Sequence, residues 1–556
     1  MRTSSKGLFA ALALAAAVTG ANGQMSPTKP PAKAGKPPVV PKYGIFEVSL
    51  SAAKMPGNPF RDARASAVFT SPSGKSHSVA GFYYGGKEWR VRFVPREHGR
   101  WRYEATLNAR TKLDGRSGGF LCKGAAGRGF LRVSDRNRYR LEHEDGTPLY
   151  PIGVQTGGYF QVGFDGPASG ARTHSGRRWR TVPAEQWCKA FEGAVNLLRW
   201  QLGAGTQAGC ALALIPKEGP VDRFDTDLAA RMDDLLRLQK KHGFSHIMIL
   251  FQDMSLWGNS RTAFGLGRDL KEYKSVKAKN LPDQDRYLRY VVARFGCFVD
   301  IWELFNEDSY APDDYLAHLA KVIRAADPYD HIITTNYARP DQKWCEIVTW
   351  HEYMGMPPNA VDAYLAKEIG KFKSHGKVVL NTEFGNQGWL SNHDPIKWRI
   401  SVWTAFMNES SVLFWGMSGR KTLGRRPYRG NANAYLGPDS RAYFRVLNKF
   451  NRDMPIDMRP VASGYTEHND IRVYALSNGK VTALYVHHFS DHKKPYQHAD
   501  PLMVRTGPGT FRAKWIDPAD GKVVHTQQVS TEQQYLTFKK IPPVTIDLAC
   551  RIDRVK

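Results

Sequence analysis

Between residues 132 and 455 the chain repeats one unit, a short apolar run followed by a helix-like segment, and few folds accept eight such units in series. The runs are LYPIGV (149–154), AVNLLRW (194–200), HIMILF (246–251), VDIWELF (299–305), HIITTN (331–336), EIVTWHEY (346–353), KVVLNTEF (377–384) and SVLFWG (411–416). The segments between them carry helix punctuation. RMDDLLRLQKKHG ends on Gly243 as a C-terminal cap, PDDYLAHLAKVIRAA opens with Pro312 and acids, and DPIKWRISVWTAF opens with Asp394-Pro395. Eight strands alternating with helices predict a (β/α)8 TIM barrel. An open doubly wound sheet is the competing arrangement. It would carry a glycine-rich first turn, and GVQTGGYF (153–160) is a weak match.

At 556 residues the chain exceeds one ordinary core, so the fold class is multidomain, with further domains on either side of the barrel. Residues 1–23 combine Arg2 and Lys6, an apolar stretch from Leu8 to Val18, and small residues near Ala21 and Gly23. This is the layout of a secretory signal peptide cleaved near Gly23, too short to span a bilayer, and it predicts a secreted or periplasmic protein. No other segment is apolar enough for a transmembrane helix. Residues 24–42, rich in Pro, Lys and Ala, read as a linker. Within 43–131, EWRVRFV (88–94) and GRWRYEATL (99–107) alternate apolar and polar side chains, which predicts an Ig-like β-sandwich with one wet face per sheet. The barrel follows over 132–455. From Ile456 the helical text stops, and hairpins around Asn478-Gly479 and Asp520-Gly521 predict a second β-sandwich over 456–556.

A 42% hydrophobic content with 14 Trp, 24 Tyr and 27 Phe is globular. The net charge is +27, or +25 without Arg2 and Lys6, and it favours anionic partners: acidic glycans, membrane surfaces or nucleic acid. Nucleic acid is not expected, because no recognition motif accompanies the charge in a chain read as exported. Cys122, Cys188, Cys210, Cys297, Cys345 and Cys550 have no spacing suited to zinc and read as buried or unpaired thiols. His351-Glu352 is not an H-E-x-x-H motif, since Gly355 stands where the second histidine belongs. Neither metal nor cofactor is expected.

The stretch IWELFNEDSY (301–310) carries two acids in an apolar strand. Regular alternation puts Glu303, Phe305 and Glu307 on one face and Trp302, Leu304 and Asn306 on the other, with the acids about 13 Å apart. Glu307 falls at the C-terminal end of the strand, where barrel enzymes keep their catalytic groups. Glu303 lies deeper and reads as a structural acid in need of a partner. Glu383 ends another strand in KVVLNTEFG. Two carboxylates across one barrel mouth suit the cleavage of a glycosidic bond. His246 reads as a packed core histidine and Trp302 as filler between barrel and helices. Asn336 and Gln252 have two uses open to them, substrate contact or loop capping.

WELFNE with Glu307, WHEY with His351 and Tyr353, NTEFG with Glu383, FWG with Trp415 and VNLLRW with Arg199 together resemble glycoside hydrolase clan A, whose best-known member is family 5. The resemblance implies that Glu307 is the acid/base, Glu383 the nucleophile and Asn306 a ligand of the sugar 2-hydroxyl. It implies that Arg199 and Tyr353 are partners of the nucleophile, that His351 belongs to the substrate site, and that Trp415 floors a sugar subsite. NPF (58–60), FTSPSGK (69–75), GFYYGG (81–86) and EWRVRFVP (88–95) resemble the glycosidase-associated domain of unknown function 5060. GFLRVSDRNRYRLEHEDGTPLYPIG (129–153) is similar to the approach to the barrel in those proteins.

The chemistry gives these roles physical content. Arg199 and a hydroxyl donor are expected to lower the pKa of Glu383, and the negative Glu383 to raise that of Glu307. Carboxyl groups about 5 Å apart and retention of configuration follow. HSGRRWR (174–180) and GRKTLGRRPYRGN (419–431), expected on the catalytic face, offer Arg420, Lys421, Arg425, Arg426 and Arg429 to carboxylate or sulfate groups, and Trp179 and Tyr428 to sugar rings. The expected protein is an exported retaining glycoside hydrolase acting on a polysaccharide or oligosaccharide. An anionic substrate, uronate-containing or sulfated, is the hypothesis for those loops, and simple solvation of a basic surface is the alternative. The non-enzymatic alternative for the whole chain is a glycan-binding or cell-wall protein on a barrel scaffold.

Overall fold

A computed structural model describes residues 36–108, 113–155, 184–203, 212–215, 220–252, 270–353, 355–385, 394–415, 436–465, 470–496 and 501–555. Its centre is a ring of eight parallel strands. In chain order these first to eighth barrel strands are Ile152–Gln155, Leu197–Gly203, Ser245–Gln252, Ile301–Asn306, Ile332–Thr334, Ile347–Glu352, Val378–Gly385 and Ser410–Trp415. The first pairs with both the second and the eighth, a closure that an open doubly wound sheet lacks. Closure is tight there: a Cβ on Gly153 would lie 2.5 Å from Leu197 O and 2.5 Å from Leu413 Cγ, so only glycine fits.

The fifth and sixth strands complete the ring without a regular ladder. Glu346 N donates to Ile333 O (2.9 Å), Thr334 Oγ1 to Ile347 O (2.9 Å), and Thr349 Oγ1 to Thr335 O (3.0 Å). Threonine hydroxyls thus satisfy carbonyls that a ladder would otherwise pair.

Helices wrap the ring. Thr226–Lys241 is capped by Asp225, which accepts from Leu228 N, and is followed by Gly243 at φ 80°. Pro395–Met407 is capped by Asp394, which accepts from Ile396 N and Lys397 N. A small antiparallel sheet, Leu131–Val133, Leu141–His143 and Pro148–Leu149, plugs the ring from below. Its Leu131, Leu141 and Leu149 pack with Leu197, Ile247, Ile301, Ile332 and Ile347 at the starts of the barrel strands. The N-terminal end of the barrel is therefore sealed with hydrocarbon, and polar side chains inside the ring collect at the other end.

Two sheets precede the barrel. One contains Arg64–Thr70, Ser76–Ala80, Gly99–Asn108 and Leu113–Ala125 with Val39–Lys42 at its edge; the other contains Phe46–Ser51, Phe82–Gly85 and Glu88–Phe93. Trp89, Val91, Phe93, Phe69, Trp101 and Phe120 fill a common core between them. The expectation of a wet outer face fails for the smaller sheet. Arg92 is buried and bonds Asp233 of Thr226–Lys241 through both terminal nitrogens (2.7 Å each), Arg294 O (2.7 Å) and Glu47 (2.6 Å). Arg294, on the helix Leu270–Phe295, shares the same aspartate at 2.9 Å. Polar text on this strand marks a contact with the barrel helices instead of solvent.

After the barrel, a six-stranded and a three-stranded sheet enclose Phe511, Trp515, Leu536 and Phe538, with hairpins turning at Gly479 (φ 80°) and Gly521 (φ 76°). Arg399 binds Asp547 (2.6 Å), which also accepts from Tyr485 OH (2.9 Å), and ties the helix Pro395–Met407 to this layer. Cys122, Cys188, Cys297, Cys345 and Cys550 are buried free thiols, and Cys210 lies outside the described residues. Among the described residues no helix is long and apolar enough to cross a membrane. The expected signal peptide over 1–23 and residues 24–35 of the linker expected over 24–42 lie outside the described residues, and the end of that expected linker, Val39–Lys42, is instead a strand of the first sheet.

The buried pair of arginines around one acid makes a direct stability test. Asp233→Asn leaves Arg294 buried without the anion it binds and Arg92 with Glu47 alone, and is expected to cost about 3–5 kcal/mol in urea unfolding.

Candidate active site

Arg199 on the second barrel strand is fully buried, and each of its five N–H groups has an acceptor. Nε donates to Glu303 Oε2 (2.8 Å), and Nη2 to Glu303 Oε1 (2.6 Å) and Asn306 Oδ1 (2.7 Å). Nη1 donates to Gln155 Oε1 (2.5 Å) and Glu383 Oε1 (2.8 Å). One guanidinium therefore joins the first, second, fourth and seventh barrel strands. Glu303, the deeper acid, has its partner in this arginine.

Strict alternation does not hold along the fourth strand. Phe305 stacks on Phe251 (5.0 Å between centroids) and approaches Tyr315 of the surrounding helix Asp313–Ala326, whereas Asn306 reaches Arg199 beside Glu303. The pairing with the fifth strand becomes irregular at this point. Phe305 N donates to Thr335 Oγ1, and Asn336 N to Phe305 O. At Glu307 the chain turns through φ 52°, a left-handed conformation costly for a residue with a Cβ, and Glu307 N donates to Asn336 Oδ1 (3.2 Å). Asn336 thus caps the turn that presents Glu307.

Register shifts next to His351 on the sixth strand, and between Asn381 and Phe384 on the seventh, bring Glu383 opposite His351. Tyr353 OH donates to Glu383 Oε2 (2.7 Å) and lies 3.3 Å from Glu307 Oε1. His351 Nδ1 is 2.7 Å from Glu307 Oε1 and 3.7 Å from Glu383 Oε2. Trp415, at the end of the eighth strand, packs its ring 5.6 Å from that of Tyr353. The structure thus brings together Arg199, Asn306, Glu307, His351, Tyr353, Glu383 and Trp415. Arg425 and Arg426, with the rest of 419–431 and all of 174–180, lie outside the described residues, as does the side chain of Gln252.

Burial governs the protonation of the pair. It raises the Glu307 carboxyl above the ordinary glutamate value, against the pull of Arg199 and Tyr353. It raises Glu383 as well, with the Glu307 charge adding to it and His351, Arg199 and Tyr353 opposing. The expected net lowering of Glu383 is therefore corrected: desolvation outweighs its hydrogen-bond donors. Burial pushes the His351 imidazole down to about 4, so it is neutral at physiological pH.

Glu307, His351 and Glu383 bring three ligand-type atoms within 4.8 Å of one another. A cation among them would face the fixed charge of Arg199, which already holds Glu383 Oε1, and the cluster reads as two carboxyls linked by hydrogen bonds through Tyr353. His246 is a packed core residue, bonded to Gln239 and Phe298 O, its imidazole pushed down to about 3. Trp302 is buried with the apolar side chains between barrel and helices. Gln155, which supplies one of the acceptors of Arg199, has no motif to flag it.

Residues 39–108 match the family model of a domain of unknown function, DUF5060. No curated protein matches the chain by sequence. Among solved structures, a candidate glycoside hydrolase from Bacteroides vulgatus is similar with a TM-score of 0.66 at 19% identity, over 93% of this chain and 100% of that one. A family 5 glycoside hydrolase from the same organism has a TM-score of 0.51 at 14% identity, over 77% of this chain and 93% of its own. Another glycoside hydrolase also has a TM-score of 0.51 at 14% identity, over 77% of this chain and 97% of its own. The chain thus has a segment that matches DUF5060, followed by a barrel that shares its fold with these glycoside hydrolases.

Proposed function

We propose that this protein is an exported, retaining glycoside hydrolase in which Glu383 is the nucleophile and Glu307 the acid/base. One observation carries the reading: carboxylate oxygens of Glu307 and Glu383, at the ends of the fourth and seventh strands, lie within 4.8 Å of each other. That separation leaves room for a sugar carbon between the carboxyls, and is too short for the interposed water of an inverting enzyme. Glu383 attacks the anomeric carbon while Glu307 gives its proton to the departing oxygen. In the second step Glu307 takes a proton from water, and the glycosyl ester on Glu383 is released with the original configuration. Asn306, whose Oδ1 is held by Arg199, offers its Nδ2 to a sugar hydroxyl, and Trp415 with Tyr353 provides an aromatic floor.

For the substrate we propose an anionic polysaccharide or oligosaccharide. The support is the net charge of +27 and the density of arginines, Arg425 and Arg426 among them, in the segment that follows the eighth strand. The sheets before and after the barrel are proposed to be sandwich domains that brace it. The buried Arg92–Asp233 and Arg399–Asp547 pairs support that role. A binding protein on the same scaffold would have no use for two carboxyls held this near each other at the barrel mouth.

A panel of neutral, uronic and sulfated glycans, assayed with purified protein, tests the reading. Hydrolysis is expected to give the retained anomer by NMR, and Glu383→Ala to lower kcat by at least ~10³-fold. An inverted product would overturn the assignment. Rates on a charged polymer are expected to exceed those on its desulfated or uncharged counterpart and to fall with added salt.

The raised carboxyl of Glu307 also predicts a stability effect. The fold disfavours its ionised form relative to the unfolded chain, a cost fully present above the folded pKa and absent below the ordinary glutamate range. Glu307→Gln is expected to lower kcat by ~10²–10⁴-fold and to raise Tm at neutral pH. The gain in Tm should vanish in acid, below the ordinary glutamate range.

A further inference from the structure

The same site contains a third carboxylate that the reaction leaves without a task. Glu303 is fully buried on the fourth strand, across the ring from Glu383 on the seventh, and grips Arg199 through two bonds, at 2.8 and 2.6 Å, whereas Glu383 holds it through one, at 2.8 Å. A bidentate grip fixes the plane of a guanidinium as well as its position. With Nε and one Nη2 hydrogen committed to Glu303, the Nη1 edge is turned toward Gln155 and Glu383 and cannot swing away. The charges count as well. Arg199 stands between two carboxylates, so its single positive charge is divided between them. Apart from Arg199, the groups that face Glu383 are Glu307, His351 and Tyr353, and of these only Glu307 can add negative charge.

We propose that Glu303 is a positioning residue, holding Arg199 in the plane that orients Glu383 while drawing off part of its charge, so that the guanidinium aligns the nucleophile without quenching it. This rests on the glycosidase reading for its catalytic consequence, but the coupling among Glu303, Arg199 and Glu383 can be measured without turnover.

Two variants separate charge from position. Glu303→Gln keeps the shape and removes the charge, so Arg199 acts on Glu383 alone. Both limbs of the pH profile of kcat/KM are expected to move about one unit toward acid. Glu303→Asp keeps the charge and withdraws it by one methylene. Its limbs are expected to stay in place while kcat falls by ~10-fold or more through misplacement of Arg199.

The turnover-free readout is carbodiimide labelling of Glu383 as a function of pH, quantified by mass spectrometry of its peptide. Labelling needs the protonated carboxyl, so in Glu303→Gln it should fade about one pH unit lower than in the wild-type protein. Unmoved limbs and unmoved labelling in a folded Glu303→Gln protein would overturn the proposal, as would wild-type kcat in Glu303→Asp. If Glu303→Gln does not fold, Glu303→Asp decides alone. A wild-type protein that hydrolyses no glycan of the panel, yet shows shifted labelling in Glu303→Gln, leaves the coupling standing and removes the glycosidase reading.

Discussion

A guanidinium buried with all five N–H groups bonded is the interaction on which the site depends. Arg199 cannot lose its charge, and a buried charge is tolerable only where every donor and the net charge are matched. Gln155, Glu303, Asn306 and Glu383 perform that matching from the first, fourth and seventh strands. Because those strands are far apart in sequence, the arginine can be satisfied only when the ring closes. Fold and site are therefore coupled: the ring brings the acceptors together, and the arginine penalises any ring that does not.

The rest of the molecule supplies what this arrangement requires. Leucines from the small sheet at Leu131, Leu141 and Leu149 seal one end of the barrel with hydrocarbon, so the polar cluster has water on its mouth side alone. The layers before and after the barrel are attached through further buried ion pairs, Arg92 and Arg294 with Asp233, and Arg399 with Asp547. Such pairs contribute little net stability relative to apolar packing, but removing one partner is costly. They set the position of each layer on the helices more than they strengthen it.

Most of the fold was legible because buried parallel strands and their helices leave separate marks in sequence. The eight apolar runs correspond to eight strands, and Gly243 and Asp394 stand at helix ends as their types require. The reading failed where pairing is irregular. Parity along IWELFN assumed an unbroken ladder, yet Phe305 takes a side-chain hydroxyl as acceptor and Asn306 comes to the same arginine as Glu303. Arg92 was read as solvent-facing because alternation cannot distinguish water from a covering helix. The pKa of Glu383 was misjudged for a related reason: its donors could be named from the sequence, but the depth of its burial could not. Gln155 carries no motif at all; it matters only because the first strand adjoins the second.

Glu303 bears on the covalent stage of the proposed reaction as well as on its start. When Glu383 becomes an ester it loses its charge, and Arg199 loses one of its two counter-ions. Without Glu303 the guanidinium would then be an uncompensated cation in a dry barrel, a state that costs several kcal/mol and would destabilise the intermediate. With Glu303 in place the arginine stays paired on both sides of the step. The change in charge then falls on Glu307 instead, whose carboxyl, relieved of its negative neighbour, can ionise and serve as the base. The acid buried in the middle of an apolar strand thus has a physical reason to be there, since it keeps the charge of Arg199 constant in effect while the charge of the nucleophile comes and goes.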